Sequence, residues 1–186
     1  MTLATDQGFA QHLTMATPLR GWALAARGHG EEGLAQMQQG LATARATGAT
    51  ADRPYNLALL AEAFAQAGQT AEGLEALDEA LATLAQSRVL WWEAELYRLR
   101  GELLLQHAVA HPEEAEACFH QALAVARRQQ ARSLELRAAM SLARLWQRHG
   151  QRTEARELLA PVYGWFTEGF DTADLQEVRA LLNQAT

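Results

Sequence analysis

The 186-residue chain is long enough for one or two domains, and its 49% hydrophobic content provides for a buried core. A net charge of −6 excludes a polyanion binder that works through bulk electrostatics, and a single cysteine, Cys118, excludes an internal disulfide framework. All 16 cationic side chains are arginine, so a phosphate loop ending in Gly-Lys-Ser or Gly-Lys-Thr is impossible.

Alanine, leucine, glutamine, glutamate and arginine dominate, with only 4 prolines, and the chain reads as all-α. The first helical pair is predicted near residues 9–28 and 31–47, with Pro18 either kinking the first helix or opening its ordered part. Asp52-Arg53-Pro54 offers N-cap chemistry for a helix to about Gln66; Gly68 ends it, and Thr70 is expected to cap a return helix to about Gln86. A third pair begins near Leu90-Trp91-Trp92, runs to about His107, and restarts at His111-Pro112-Glu113-Glu114, where proline and acids suit a first turn. The fourth spans 131–149 and 152 to about 167, with a bend expected at Pro161. A last helix from Asp171, spaced to Asp174 as in a capping box, to about Gln184 is expected to cover the end of the stack.

The pairs repeat. Gly28 and Gly68 lie 40 residues apart and Gly150 follows 82 further on; Gly33, Gly73 and Ala155 come five residues after them, and Gly21, Ala61 and Ala143 seven before. The second helices carry the series Gly33, Met37, Gly40, Leu41; Gly73, Leu77, Ala80, Leu81; Ala115, Phe119, Ala122, Leu123; and Ala155, Leu159, Val162, Tyr163. A small residue there lets two helices approach while large ones fill the gap beside it. In the third pair Gly101 and Ala115 are 14 residues apart where the others have 12, which predicts a two-residue insertion around Val109 to His111.

These offsets resemble the tetratricopeptide repeat (TPR), in a version longer than the usual unit of about 34 residues. A more specific resemblance rests on Gly21-Trp22-Ala23-Leu24-Ala25, Tyr55-Asn56-Leu57-Ala58-Leu59-Leu60-Ala61-Glu62, Trp91-Trp92-Glu93-Ala94-Glu95-Leu96-Tyr97-Arg98-Leu99, Ser133-Leu134-Glu135-Leu136-Arg137-Ala138-Ala139 and Tyr163-Gly164-Trp165-Phe166-Thr167-Glu168-Gly169-Phe170-Asp171-Thr172. Together these are similar to the C-terminal TPR region of bacterial proteins that join a class III adenylate or guanylate cyclase domain, or a transcription-regulator domain, to a predicted signalling ATPase. The resemblance implies a right-handed α-α superhelix over residues 1–186, with hairpins at 9–47, 52–86, 90–130 and 131–167 and a capping helix at 171–184. It also implies a module that senses or holds a partner, with catalysis lying elsewhere.

In such a stack the first helix of each hairpin lines the inner groove. Offsets from the turn then nominate Trp22, Tyr55, Glu62, Arg98, Glu102, Arg137, Met140, Arg144 and Arg148 as groove-facing. Arg137, Arg144 and Arg148 share one helix face, in a stretch from Arg127 to Arg156 holding 8 arginines against 2 acids. A guanidinium row pairs bidentately with carboxylates or phosphates; the other reading is the solvated face of an amphipathic helix. Nearby Glu157, Glu168, Asp171, Asp174 and Glu177 argue against nucleic acid, which needs a broad positive surface.

No catalytic residue, cofactor or metal is expected. His107, His111 and His120, with Glu114, form the one cluster suggesting a metal, but the histidines read as exposed loop residues because Pro112 turns the chain, and Cys118 reads as a partly buried structural thiol. Trp91-Trp92 and Trp165-Phe166 are expected to pack between repeats. No stretch approaches the roughly 18 apolar residues of a membrane span, and Met1-Thr2-Leu3-Ala4-Thr5-Asp6 lacks the basic flank of a signal peptide. The expected function is a cytoplasmic protein- or peptide-binding scaffold of a bacterial signalling protein, its partner carrying acidic groups. Small-ligand sensing and self-association as a homodimer are the alternatives.

Overall fold

The computed structural model describes residues 10–48, 51–86, 90–107 and 111–184, and among them every regular element is an α-helix. These are α1 (Ala10–Ala26), α2 (Gly30–Thr47), α3 (Arg53–Gln66), α4 (Thr70–Gln86), α5 (Glu93–Gln106), α6 (Pro112–Arg128), α7 (Arg132–Arg148), α8 (Arg152–Tyr163) and α9 (Ala173–Gln184). The first four lie in one compact unit and α5–α9 form a second.

In the first unit α1 and α2 approach until backbone meets backbone. A Cβ placed on Gly21 would sit 2.6 Å from the Gly33 carbonyl oxygen, and one on Gly33 would sit 2.5 Å from that of Gly21. Further along, the fully buried ring of Pro18 lies over Gly40. The proline is therefore inside α1 and not at its start, and its ring fills a slot that only glycine leaves open. Helix α3 packs on α1, α2 and α4, so almost all of it from Pro54 to Phe64 is buried. That burial explains its all-round apolar sequence, which a one-sided helix would not show.

The seam recurs in the second unit. Phe119 of α6 is fully buried with its ring pressed on Gly101 of α5. Helix α7 packs against α6, α8 and α9, and Ala138, Ala139, Leu142 and Ala143 on it are fully buried. The expected small–large series is buried in each hairpin, with Leu81 and Tyr163 only partly so.

Four tight turns share one hydrogen-bond pattern. The N–H groups of His29, Gln69, Ala131 and Gln151 donate to the carbonyls five residues back, on Leu24, Phe64, Ala126 and Trp146, at 2.9–3.0 Å. Each pattern needs a left-handed residue just before the donor. Glycine supplies it at Gly28, Gly68 and Gly150, with φ of 92°, 74° and 81°, whereas Gln130 supplies it with φ of 56°.

Several boundaries differ from expectation. Thr70 begins α4 instead of capping it; the Gly73 N–H donates to the Gln69 carbonyl at 3.1 Å, which puts Gln69 at the cap. Asp52 stands at the N-cap of α3 without a side-chain capping bond. Helix α8 stops at Tyr163 and not near residue 167, because Pro161 lacks a donor and Gly164 follows within one turn, the two weakest helix formers. Helix α9 begins at Ala173, two residues after Asp171, and the Thr172 hydroxyl donates to the Gly169 carbonyl at 2.7 Å. The insertion expected around Val109 falls mostly outside the described residues.

Two glycine-to-alanine changes separate steric from backbone cost. Nothing lies within 4 Å of a Cβ on Gly68, so Gly68→Ala loses only the left-handed backbone preference, about 1 kcal/mol. Gly21→Ala drives a methyl into a carbonyl and costs more, roughly 1–3 kcal/mol, while Gln130→Gly stabilises by about 1 kcal/mol. Urea unfolding of the three variants checks the order.

Candidate functional site

Four of the residues nominated from the sequence occupy equivalent positions, and the structure shows what that position does. Trp22, Glu62, Glu102 and Arg144 each follow the seam residue of their helix by one place. In the first unit the Trp22 indole Nε1 donates to Glu62 Oε2 at 2.7 Å, tying α1 to α3. Tyr55, near the start of α3, packs on Trp91 and Trp92 with ring centroids 5.5 and 5.2 Å away. Trp91 is half exposed at 51%.

In the second unit the polar faces of α5, α7 and α9 meet in a network of alternating charge. Glu95 on α5 is 3% exposed. Arg98 grips it bidentately, Nε to Oε2 at 2.9 Å and NH2 to Oε1 at 2.8 Å, and Arg137 adds a third contact at 2.9 Å. Arg137 also faces Asp174 on α9 at 3.7 Å. One helical turn on, Ser141 donates to Glu102 Oε1 at 2.6 Å, and Arg98 and Arg144 approach the same oxygen at 3.5 and 3.8 Å. Arg144 then pairs with Glu177 of α9.

This network reassigns several nominated residues. Met140, 3% exposed, is part of the core, and Arg98, 9% exposed, holds a buried acid. Arg137 and Arg144 share one face with Arg148, yet acids from α5 and α9 engage the first two. Arg148 is exposed, and among the described residues it makes no ion pair. It borders an open cleft of about 340 Å³ lined by Arg144, Gln147, Arg148, Arg152, Leu181 and Gln184. Three guanidinium groups and two carboxamides converge there without a carboxylate among the lining residues. Gln147 is fixed by donating to the Leu181 carbonyl at 3.1 Å.

Sequence reasoning missed Arg152, because a turn separates it from the row on α7. It also missed the acids. Glu95 lies three residues before Arg98, a spacing that signals an intrahelical pair, but nothing in the sequence marks it as buried. The histidines are spread over separate contacts, His111 Nδ1 to Glu114 at 3.2 Å and His120 Nε2 to Glu116 at 3.7 Å. Among the described residues no three metal-ligating side chains gather.

A second buried acid, Glu135 at the start of α7, is 4% exposed. Its Oε1 accepts from Arg127 Nε at 2.8 Å and its Oε2 from Arg132 NH1 at 2.7 Å. Burial alone would raise the carboxyl pKa, but the hydrogen bonds and charges of Arg127 and Arg132 outweigh it and hold the group below 4.5. A depressed carboxylate pKa contributes stability that is complete above the unfolded value and fades as pH falls through the folded one. Stability is therefore expected to drop below pH 4.5 partly through this group. Urea midpoints measured from neutral to acid pH should fall less steeply in Glu135→Gln; an identical acid slope contradicts the pairing.

No protein-family model matches the chain. An uncharacterised protein of Rhizobium meliloti (strain 1021) is 33% identical over 125 residues, which is 67% of this chain and 12% of that protein. The chain thus spans a small part of that relative. Two solved structures of a kinesin-light-chain candidate from Podosopora anserina, with nearly identical TPR-like repeats, match 95% of this chain. One, a point variant, gives a TM-score of 0.72 at 21% identity over 85% of its length; the other gives 0.71 at 22% over 86%. No helix among the described residues is long and apolar enough to cross a membrane. The fold is an all-α, TPR-like helical repeat.

Proposed function

We propose that this chain is a protein- or peptide-binding module of a bacterial signalling protein, working in the cytoplasm, and that its second unit takes an acidic segment of the partner at the arginine cleft. The observation that carries this is the composition of the cleft: Arg144, Arg148 and Arg152 line it, and no acid does. Guanidinium groups recognise carboxylates through two parallel hydrogen bonds, so the cleft selects for anionic side chains. TPR-like repeats generally serve as interaction scaffolds, which favours binding over catalysis. The great length of the Rhizobium meliloti relative suits a module within a larger protein. In the first unit, Trp91 on Tyr55 offers the kind of half-exposed aromatic that anchors an interface.

Selection of random peptides on the purified chain tests this reading. Acidic peptides are expected to be enriched, with binding that weakens as salt rises. The double variant Arg148→Glu, Arg152→Glu should weaken it at least tenfold, the equivalent of about 1.4 kcal/mol. Peptides without acidic bias, or binding indifferent to both reversals, would contradict it.

A further inference from the structure

A separate cavity of about 230 Å³ opens at the other end of α7, lined by Arg127, Arg132, Glu135, Glu157, Leu158, Pro161, Val162 and Trp165. Glu135 and Arg148 are 13 residues apart on α7, so roughly 20 Å separates this cavity from the arginine cleft. Its construction starts from the turn at Gln130, whose left-handed backbone folds the chain back between Arg127 and Arg132. Both guanidinium groups then converge on Glu135, each using one N–H on a different carboxylate oxygen.

That clamp orients the arginines without exhausting them. A guanidinium has five N–H donors, and the two side chains remain 54% and 41% exposed. Trp165 holds Arg132 further, its ring centroid 5.4 Å from the guanidinium carbon. The result is a pair of fixed guanidinium groups at the mouth of a cavity whose wall, Leu158, Pro161, Val162 and Trp165, is apolar. Glu157 adds a carboxylate to the lining and makes no ion pair among the described residues.

We infer that the cavity binds a free α-amino acid with a compact apolar side chain. The ligand carboxylate would take the spare N–H donors of Arg127 and Arg132, its ammonium would face Glu157, and its side chain would lie against the apolar wall and Trp165. Charge selects the class. Two arginines and two glutamates sum to zero, which suits a zwitterion; a phosphate dianion meets Glu157, and a lone amine meets two guanidinium groups. Size permits it: at about 30 Å³ per water, 230 Å³ has room for roughly eight waters, enough for a compact amino acid.

Calorimetry and thermal melting of the whole chain with L-leucine, L-valine, 4-methylpentanoate, isoamylamine and inorganic phosphate test the inference. Leucine and valine should release heat and raise the melting temperature, and the three other probes should bind at least tenfold more weakly. Glu157→Gln, at an exposed position, should weaken leucine at least tenfold while leaving 4-methylpentanoate unchanged, and Trp165→Ala should weaken both. Absence of any amino-acid response up to about 10 mM, or equal affinity for leucine and its ammonium-free analogue, overturns it. So does leucine binding unaltered in Glu157→Gln. The acidic-peptide assay reads a different set of arginines, so each proposal fails on its own.

Discussion

A carboxylate removed from water must be paired, because an unmatched buried charge costs several kcal/mol. The second unit buries two of them, Glu95 and Glu135. Each is held by a pair of arginines, Arg98 with Arg137 for the first and Arg127 with Arg132 for the second. This requirement sorts an arginine-rich stretch into two groups. Arg127, Arg128, Arg132, Arg137 and Arg144 answer acids of the fold itself, whereas Arg148 and Arg152 border an open cleft. A row that looks uniform in the sequence is divided by what lies across from it.

The buried pairs are possible because the helices come close. Gly21 against Gly33 and Gly101 under Phe119 set the spacing within hairpins, and that spacing fixes where neighbouring first helices stand. Positions one place after the seam residue then meet across helices: Trp22 bonds Glu62 in the first unit, and Glu102 faces Arg144 in the second. The first pair is neutral-to-acid and the second is ionic, so the same geometry serves different chemistry in each unit. Within each unit the repeat register thus pairs polar residues across first helices.

Much of this was legible in the sequence. Turn glycines announced three left-handed turns because an open φ above zero is what glycine alone adopts readily. Gln130 gave no such signal, since its turn is imposed by the helices it joins. The early end of α8 was also hidden, because Pro161 suggested a bend and only Gly164 behind it made a stop. For the site, periodicity put Arg137, Arg144 and Arg148 on one face but was silent on their partners. Those acids, Glu95, Asp174 and Glu177, come from helices 33 to 42 residues away along the chain. Local pattern reports which way a side chain points, and only packing reports what it meets there. Met140 shows the same limit from the apolar side.

The division of the arginines is open to a direct measurement: equilibrium urea unfolding of Arg98→Ala beside Arg148→Ala. Loss of Arg98 strips Glu95 of its bidentate partner in the interior, and a penalty of about 3–5 kcal/mol is expected. Loss of Arg148 from the open cleft should change stability by no more than about 0.5 kcal/mol. Equal penalties for the two variants, or a harmless Arg98→Ala, would contradict the account.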